Sequence, residues 1–303
     1  MDQAFLSQML DMADRHFQSR DMKDLMRECI NEKAKEQFKW ASMTTYVHGM
    51  LGGESPAIER AAALTELLML ALDIVDDVQD QDNASMIWMQ RPQAYALNAV
   101  LSFIAVAMSE WREIGNADML GEIGQLLARS IEGQQKDVSG AVVTEADYVE
   151  MVRQKSGALI RLAFRMGYSL VDGLERETTQ RIDEMAECVG MIAQIGNDVN
   201  DVIRYDVKND LLQKKRTLPI LFMLVDSHEE FPPISQYYEG KISEEEFLRS
   251  KSECMQYIRD SGCIEYSQVI QRLYTERAEE LLQLIPAVSP WKEKLKELTL
   301  GHV

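Results

Sequence analysis

The chain has 303 residues and carries 50 acidic against 32 basic side chains, a formal charge of -18. Such a surface repels nucleic-acid phosphates and anionic lipid, and excludes both as natural partners. A 46% hydrophobic content excludes disorder, and only seven prolines interrupt the chain, four of them after residue 230, so long stretches are open to helix.

The opening segment, MDQAFLSQMLDMADRHF, is amphipathic and acidic, and lacks the basic flank and apolar run of a secretory signal. Gly52-Gly53 marks a break. From Pro56 to Gln81 the periodicity predicts a helix whose middle, AAALTELLMLALDIV, is apolar on every side, as suits the centre of a bundle. Its most apolar run, Leu67 to Leu72, is too short to span a bilayer. Further helices are predicted over 93–113, 117–137, 145–171, 177–205, 216–227, 243–260 and 263–285. Breaks fall at Asp82-Asn83, Val138-Ser139-Gly140, Asp172-Gly173 and Phe231-Pro232-Pro233. No strand pattern, internal repeat or linker is visible, so the expectation is one all-α domain over 1–303. Cys29, Cys188, Cys254 and Cys263 are scattered without a CxxC pair, which suits a reducing cytoplasm better than disulfides or zinc.

The central helix ends at a cost. Asp73, Asp76, Asp77 and Asp80 lie at i, i+3, i+4 and i+7 and share one face, where they repel each other and the helix C-terminal dipole. Alone, such a cluster reads first as a solvated acidic face. A second stripe repeats the spacing: in GMIAQIGNDVNDVIRYD, residues Gln194, Asn197, Asp198 and Asp201 interrupt another apolar helix. Two oxygen-rich faces on core helices suit a hard cation such as magnesium, which takes one or two carboxylates plus phosphate and water. Di-iron chemistry wants a Glu-x-x-His pair, which none of the four histidines supplies. Cations stand at Lys155 in RQKSGALIRLAF, at Lys208, and at Lys214, Lys215 and Arg216 before Thr217-Leu218-Pro219. Each alone reads as a surface residue; together with the stripes they describe a magnesium-bridged diphosphate site.

These residues resemble the trans-prenyl diphosphate synthases, the polyprenyl synthetase family. DDVQD (Asp76, Asp77, Asp80) is similar to the first aspartate-rich motif and NDVND (Asn197, Asp198, Asp201) to the second, with Gln194 preceding it. GQQKD (Gly133, Gln134, Asp137), KSGAL (Lys155, Ser156) and KKRTLP (Lys215, Thr217) match in order and spacing, over about residues 35 to 225. The resemblance implies a helical bundle of the isoprenoid synthase type with a central cavity, more than one magnesium ion, and a homodimer. It implies metal ligation by Asp76, Asp80, Asp137, Asn197, Asp198 and Asp201, and catalytic roles for Asp76, Asp77, Asp80, Lys155 and Asp198. Lys155, Ser156, Gln134, Gln194, Lys208, Lys215 and Thr217 would contact the substrate. The chemistry implied is ionisation of an allylic diphosphate, with metals and lysines neutralising the leaving group.

The sequence also departs from the family. The basic GKRxRP segment that holds isopentenyl diphosphate in elongating members falls at KEQFKW, where only Lys35 and Lys39 are basic. Ser85 and Met86 stand where two arginines follow the first motif, and the first arginine is Arg91. Met69 or Val75 replaces a histidine of that pocket. DIVDDVQDQDN followed by Trp88-Met89 is similar to the ComQ-type subgroup, which prenylates a tryptophan of a precursor pheromone peptide. The resemblance therefore implies a cytoplasmic prenyltransferase passing a geranyl or farnesyl group to a peptide tryptophan, with Phe38 and Trp40 as aromatic walls for the indole. A chain-elongating synthase using Lys39, Arg91 or Arg161, a class I terpene synthase, and a non-catalytic subunit remain the alternatives.

Overall fold

The computed structural model describes residues 2–81, 83–114, 117–203 and 210–301. Among them the order is α1 (Asp2–His16), α2 (Arg20–Lys33), α3 (Lys39–Met50), α4 (Ile58–Asp80), α5 (Gln93–Ile114), α6 (Ala117–Val138) and α7 (Glu145–Val152). A π-turn (Arg153–Gly157) follows, then α8 (Ala158–Tyr168), α9 (Arg176–Ile203), α10 (Leu218–Glu230) and α11 (Pro232–Tyr238). The chain closes with α12 (Glu244–Leu248), α13 (Lys251–Asp260), α14 (Cys263–Leu284) and α15 (Trp291–Leu300). No strand occurs among the described residues, and the fold is all-α.

The contacts group into two compact units, one of Met1–Leu126, Leu159–Asp183 and Leu284–His302, the other mainly of Leu127–Ala158 and Glu184–Gln283. In the first, α4 is the core helix: every residue from Ala61 to Ala71 is buried, as its all-round apolar sequence requires. It packs against α1, α3 and α5. Thr44 Oγ1 donates to Thr65 Oγ1 at 3.0 Å and to the Ala163 carbonyl at 2.9 Å. That approach of α3 to α8 needs Gly167, where a Cβ would lie 2.3 Å from the Thr44 carbonyl oxygen.

Helix α5 is long and apolar enough to cross a bilayer by length and composition, the one such helix among the described residues. Its buried face, Ala96, Ala99, Phe103, Val106 and Trp111, is matched by a buried Glu110 that accepts from Arg15, His16 and Arg60. Those donors satisfy the buried carboxylate, and the packing on α4 covers the apolar face of α5.

In the second unit, Val142, Tyr148, Met151, Val152, Met191, Ile195, Val199, Leu218 and Leu221 form one core cluster. A second runs through Val202, Leu211, Ile220, Met223, Ile234, Tyr237 and Phe247 to Cys263. Helix 145–171 of the sequence pattern is broken into α7, the π-turn and α8. The wide turn lets three backbones meet, since a Cβ on Gly133 would lie 2.4 Å from Lys155 N and one on Gly190 2.7 Å from Gly157 Cα. The segment 243–260 also divides, at Arg249-Ser250 between α12 and α13. Pro232 and Pro233 start α11 rather than a loop, because proline is at home in a first helical turn.

Candidate active site

The first carboxylate face lies on the last two turns of α4, which stops at Gln81 in the left-handed conformation. Its four aspartates are not equivalent. Asp73 Oδ2 accepts from Lys33 Nζ at 3.0 Å, and the same ammonium reaches Glu36 at 2.9 Å. Burial works against the Lys33 charge, but Asp73 and Glu36 outweigh it and hold its pKa above the usual range. Asp77, buried, accepts from Trp88 Nε1 at 2.7 Å through Oδ2 and from Asn83 Nδ2 at 2.6 Å through Oδ1. Asp76 and Asp80 are half-buried, one turn apart on the same face.

The second face lies on α9. Asp198 is 3% exposed, and both of its oxygens are engaged. Tyr148 Oη donates to Oδ2 at 2.6 Å, and Gln194 Nε2 donates to Oδ1 at 2.8 Å. Gln194 Oε1 in turn accepts from Ser156 Oγ at 2.8 Å, so a three-residue chain ties the π-turn to the carboxylate. Burial pushes the Asp198 pKa up to about 7 against these donors, with Asp210 and Asp137 adding repulsion. Burial, and then Asp198, raise the Tyr148 phenol well above its ordinary value and keep it a proton donor.

Lys155 Nζ meets Asp137 Oδ2 at 2.8 Å, and the Lys155 carbonyl accepts from Ser130 Oγ at 3.1 Å. The sequence pattern thus brings together Gly133, Asp137, Lys155, Ser156, Gln194 and Asp198. Asp201 and Gln134 are half-buried, while Asn197 is exposed. Lys215 is half-buried, its carbonyl accepting from Tyr238 Oη at 2.7 Å, and the neighbouring Leu212 carbonyl accepts from Tyr237 Oη at 2.7 Å. Lys214 lies over the Tyr237 ring at 4.4 Å. Thr217 opens α10 with a buried Oγ1 that has no hydrogen-bond partner among the described residues. Lys208 lies outside the described residues.

These residues fit magnesium. The candidate ligands offer oxygen only, and no three histidine, cysteine, aspartate or glutamate side chains converge as a cage among the described residues. A hard ion that keeps waters and takes phosphate oxygens needs no such cage. A carboxylate as buried as Asp198 is itself unfavourable when ionised, and a cation would relieve it.

Sequence reasoning missed Tyr148, Asn83, Lys33, Tyr237 and Tyr238, whose roles arise from contacts distant in sequence. Phe38, expected as an acceptor wall, is 3% exposed and packs edge-on against Phe5 at 6.5 Å. Apolar burial at the start of α3 outweighs display. Trp40 does line an open cleft of about 360 Å³ with Lys33, Glu36, Gln37 and Lys39.

Helices carrying two carboxylate faces of this kind define an enzyme of the isoprenoid synthase fold. Residues 41–257 match the polyprenyl synthetase family, and the chain belongs to it as a prenyltransferase. It is 28% identical to the tryptophan prenyltransferase ComQ of Bacillus spizizenii, over 88% of this chain and 95% of that one. It is 31% identical to the geranylfarnesyl diphosphate synthase of Aeropyrum pernix, over 71% of this chain and 61% of that one. The fold is similar to a polyprenyl synthase of Caulobacter crescentus solved with calcium and isoprenyl diphosphate. There the TM-score is 0.81 at 19% identity, covering 98% of this chain and 93% of that one.

Proposed function

We propose that this chain is a cytoplasmic, homodimeric, magnesium-dependent enzyme that ionises geranyl or farnesyl diphosphate and passes the prenyl group to a tryptophan of a peptide. The observation that carries the choice of acceptor is the state of the spare cations. Elongation requires a second diphosphate, isopentenyl diphosphate, and that polyanion needs cations of its own. Lys33 is committed to Asp73 and Glu36, Lys35 to Glu32, Arg91 to Glu28, and Arg161 to Asp183, which leaves Lys39, on the cleft beside Trp40, as the one of these five cations with no ion pair among the described residues. Similarity to ComQ over most of both chains supports the same acceptor class.

Asp76 and Asp80 of the first unit, and Asp137, Asn197, Asp198 and Asp201 of the second, would be the magnesium ligands. Bound magnesium would supply charge neutralisation for the departing diphosphate. Lys155, Lys215 and the Thr217 hydroxyl would bind diphosphate oxygens, with Ser156, Gln134 and Gln194 orienting them and Lys208 adding a cation. The allylic C–O bond breaks with its electron pair leaving on diphosphate. An indole carbon then attacks the cation, and the proton displaced from the indole is released. A neutral indole places no further charge in an already acidic protein.

The test incubates the purified chain with magnesium and geranyl or farnesyl diphosphate, with and without a tryptophan-containing peptide, and weighs the products. A peptide heavier by one prenyl group supports the reading. Cyclised hydrocarbon, or diphosphate left intact under all conditions, overturns it.

A further inference from the structure

The basic segment before α10 is held at two main-chain points by neighbouring tyrosines of α11. Between Asp210 and Thr217 the chain turns back on itself. Lys215 N donates to the Asp210 carbonyl at 2.9 Å, and Lys214 N donates to the Leu211 carbonyl at 3.1 Å. The turn places Lys214 at φ 55°, a left-handed conformation that a residue with a Cβ adopts only at a cost. Leu211 is wholly buried and anchors the turn in the core cluster that also contains Tyr237.

Tyr237 Oη donates to the Leu212 carbonyl and Tyr238 Oη to the Lys215 carbonyl, each at 2.7 Å. Adjacent positions on a helix point about 100° apart, yet both hydroxyls reach the same turn. The two rings meet edge-on at 6.2 Å, and Tyr237 stacks on Phe247 at 4.7 Å. The Lys214 ammonium lies 4.4 Å from the centre of the Tyr237 ring. Burial, and then Asp210, hold the Tyr238 phenol well above its ordinary pKa, so it stays a donor. Both hydroxyls bind main-chain carbonyls. They fix where the Lys215 side chain begins without competing for its ammonium.

Resting on the diphosphate reading above, we propose that Tyr238, braced by Tyr237, is the positioning residue of Lys215. The pair holds a costly turn in the one arrangement that presents this lysine to diphosphate. Neither tyrosine touches the substrate, and their effect passes through the lysine.

Tyr238→Phe keeps the ring and removes the hydroxyl. Tyr257→Phe is the control. It removes a phenol that donates to another main-chain carbonyl, that of Met223 at 3.2 Å, beside the same core cluster. Each protein is titrated calorimetrically with inorganic diphosphate in the presence of magnesium, and amide hydrogen exchange is followed over residues 210–217. Tyr238→Phe should speed exchange in the turn about tenfold. It should weaken diphosphate binding about fivefold or more. Tyr257→Phe should leave both near wild type, which separates positioning from general loosening of the core. In a Lys215→Ala background, Tyr238→Phe should weaken diphosphate binding no further, because the two changes act through one group. Equal weakening in both backgrounds overturns the proposal, as does unchanged exchange or unchanged affinity in Tyr238→Phe. If Tyr238→Phe does not fold, Tyr237→Phe decides by the same readings. Exchange needs no ligand, so a wild-type chain that binds no diphosphate counts against the proposed function, and exchange still decides whether Tyr238 holds Lys215.

Discussion

Tyr148, on α7, donates a 2.6 Å hydrogen bond to the buried carboxylate of Asp198, on α9, fifty positions further along the chain. A phenol rather than a lysine faces this aspartate, so the hydrogen bond holds the carboxylate in place without supplying a positive charge. A bound cation would be the positive partner that favours the ionised form.

Tyr148→Phe removes that donor and leaves a buried carboxylate oxygen short of a partner. The expected loss of stability is about 1–3 kcal/mol, the usual cost of stranding a buried polar group. Turnover should fall about tenfold or more as Asp198 loses its fixed direction. Thermal unfolding with and without magnesium checks the first part, since bound metal should recover some of the loss. Unchanged unfolding and turnover in the variant would show that this hydrogen bond does not position Asp198.

A second prediction concerns pH. Glu66 is wholly buried in α4, accepts from Ala41 N at 2.9 Å through Oε2, and leaves Oε1 without a partner among the described residues. Burial pushes its pKa from 4.5 up to about 7. Between those values the folded state binds more protons than the unfolded chain, so stability falls as pH rises through this window. At ~1.4 kcal/mol per pKa unit the loss is at most roughly 3.5 kcal/mol. Asp198 acts with the same sign. The unfolding midpoint of the metal-free protein should therefore drop from pH 5 to pH 8, and Glu66→Gln should flatten the drop. A midpoint that rises over that range would contradict the placement of Glu66.

Much of this was legible in the sequence. The i, i+3, i+4, i+7 spacing placed Asp76, Asp77, Asp80, Asp198 and Asp201 on two helix faces, and an all-round apolar run marked α4 as the core helix. Spacing cannot distinguish among the four aspartates of α4, because Lys33, Asn83 and Trp88 arrive from other segments. The π-turn was hidden for a related reason. The residues RQKSG have ordinary helical character, and the wide turn follows from backbones meeting at Gly133, Gly157 and Gly190. Tyr237 and Tyr238 were missed because Pro232-Pro233 reads as a stop until the chain beyond it is seen to be helical.

A third prediction uses one chemical change at two places. Gly190→Ala would set a methyl 2.7 Å from the Gly157 backbone, with no flexible side chain to give way. It should cost about 1–3 kcal/mol by overpacking and displace Lys155 and Ser156, lowering turnover. Gly121→Ala, in α6, meets nothing within 4 Å and should stabilise by about 0.5–1 kcal/mol through helix propensity. Chemical denaturation of the two variants should move the midpoint in opposite directions. Equal shifts would contradict the close approach at Gly190.

The last prediction separates transfer to a peptide from chain elongation. At ~4 Å and an effective dielectric of about 20, each missing cation contact forfeits roughly 4 kcal/mol of gross attraction for a second diphosphate, much of it cancelled by desolvation. Gln37, Ser85 and Met86 supply no such contact. Lys33 can turn to a second diphosphate only by leaving Asp73 and Glu36. We therefore expect negligible formation of a longer diphosphate from farnesyl and isopentenyl diphosphates. Isopentenyl diphosphate should also inhibit peptide prenylation only at high concentration. Ser85 is exposed and Met86 half-buried, so both positions accept a longer side chain. The double variant Ser85→Arg, Met86→Arg should strengthen inhibition by isopentenyl diphosphate several-fold while leaving the KM for farnesyl diphosphate nearly unchanged. Efficient elongation by the wild-type chain, without any peptide, would replace the peptide-acceptor reading with that of a synthase.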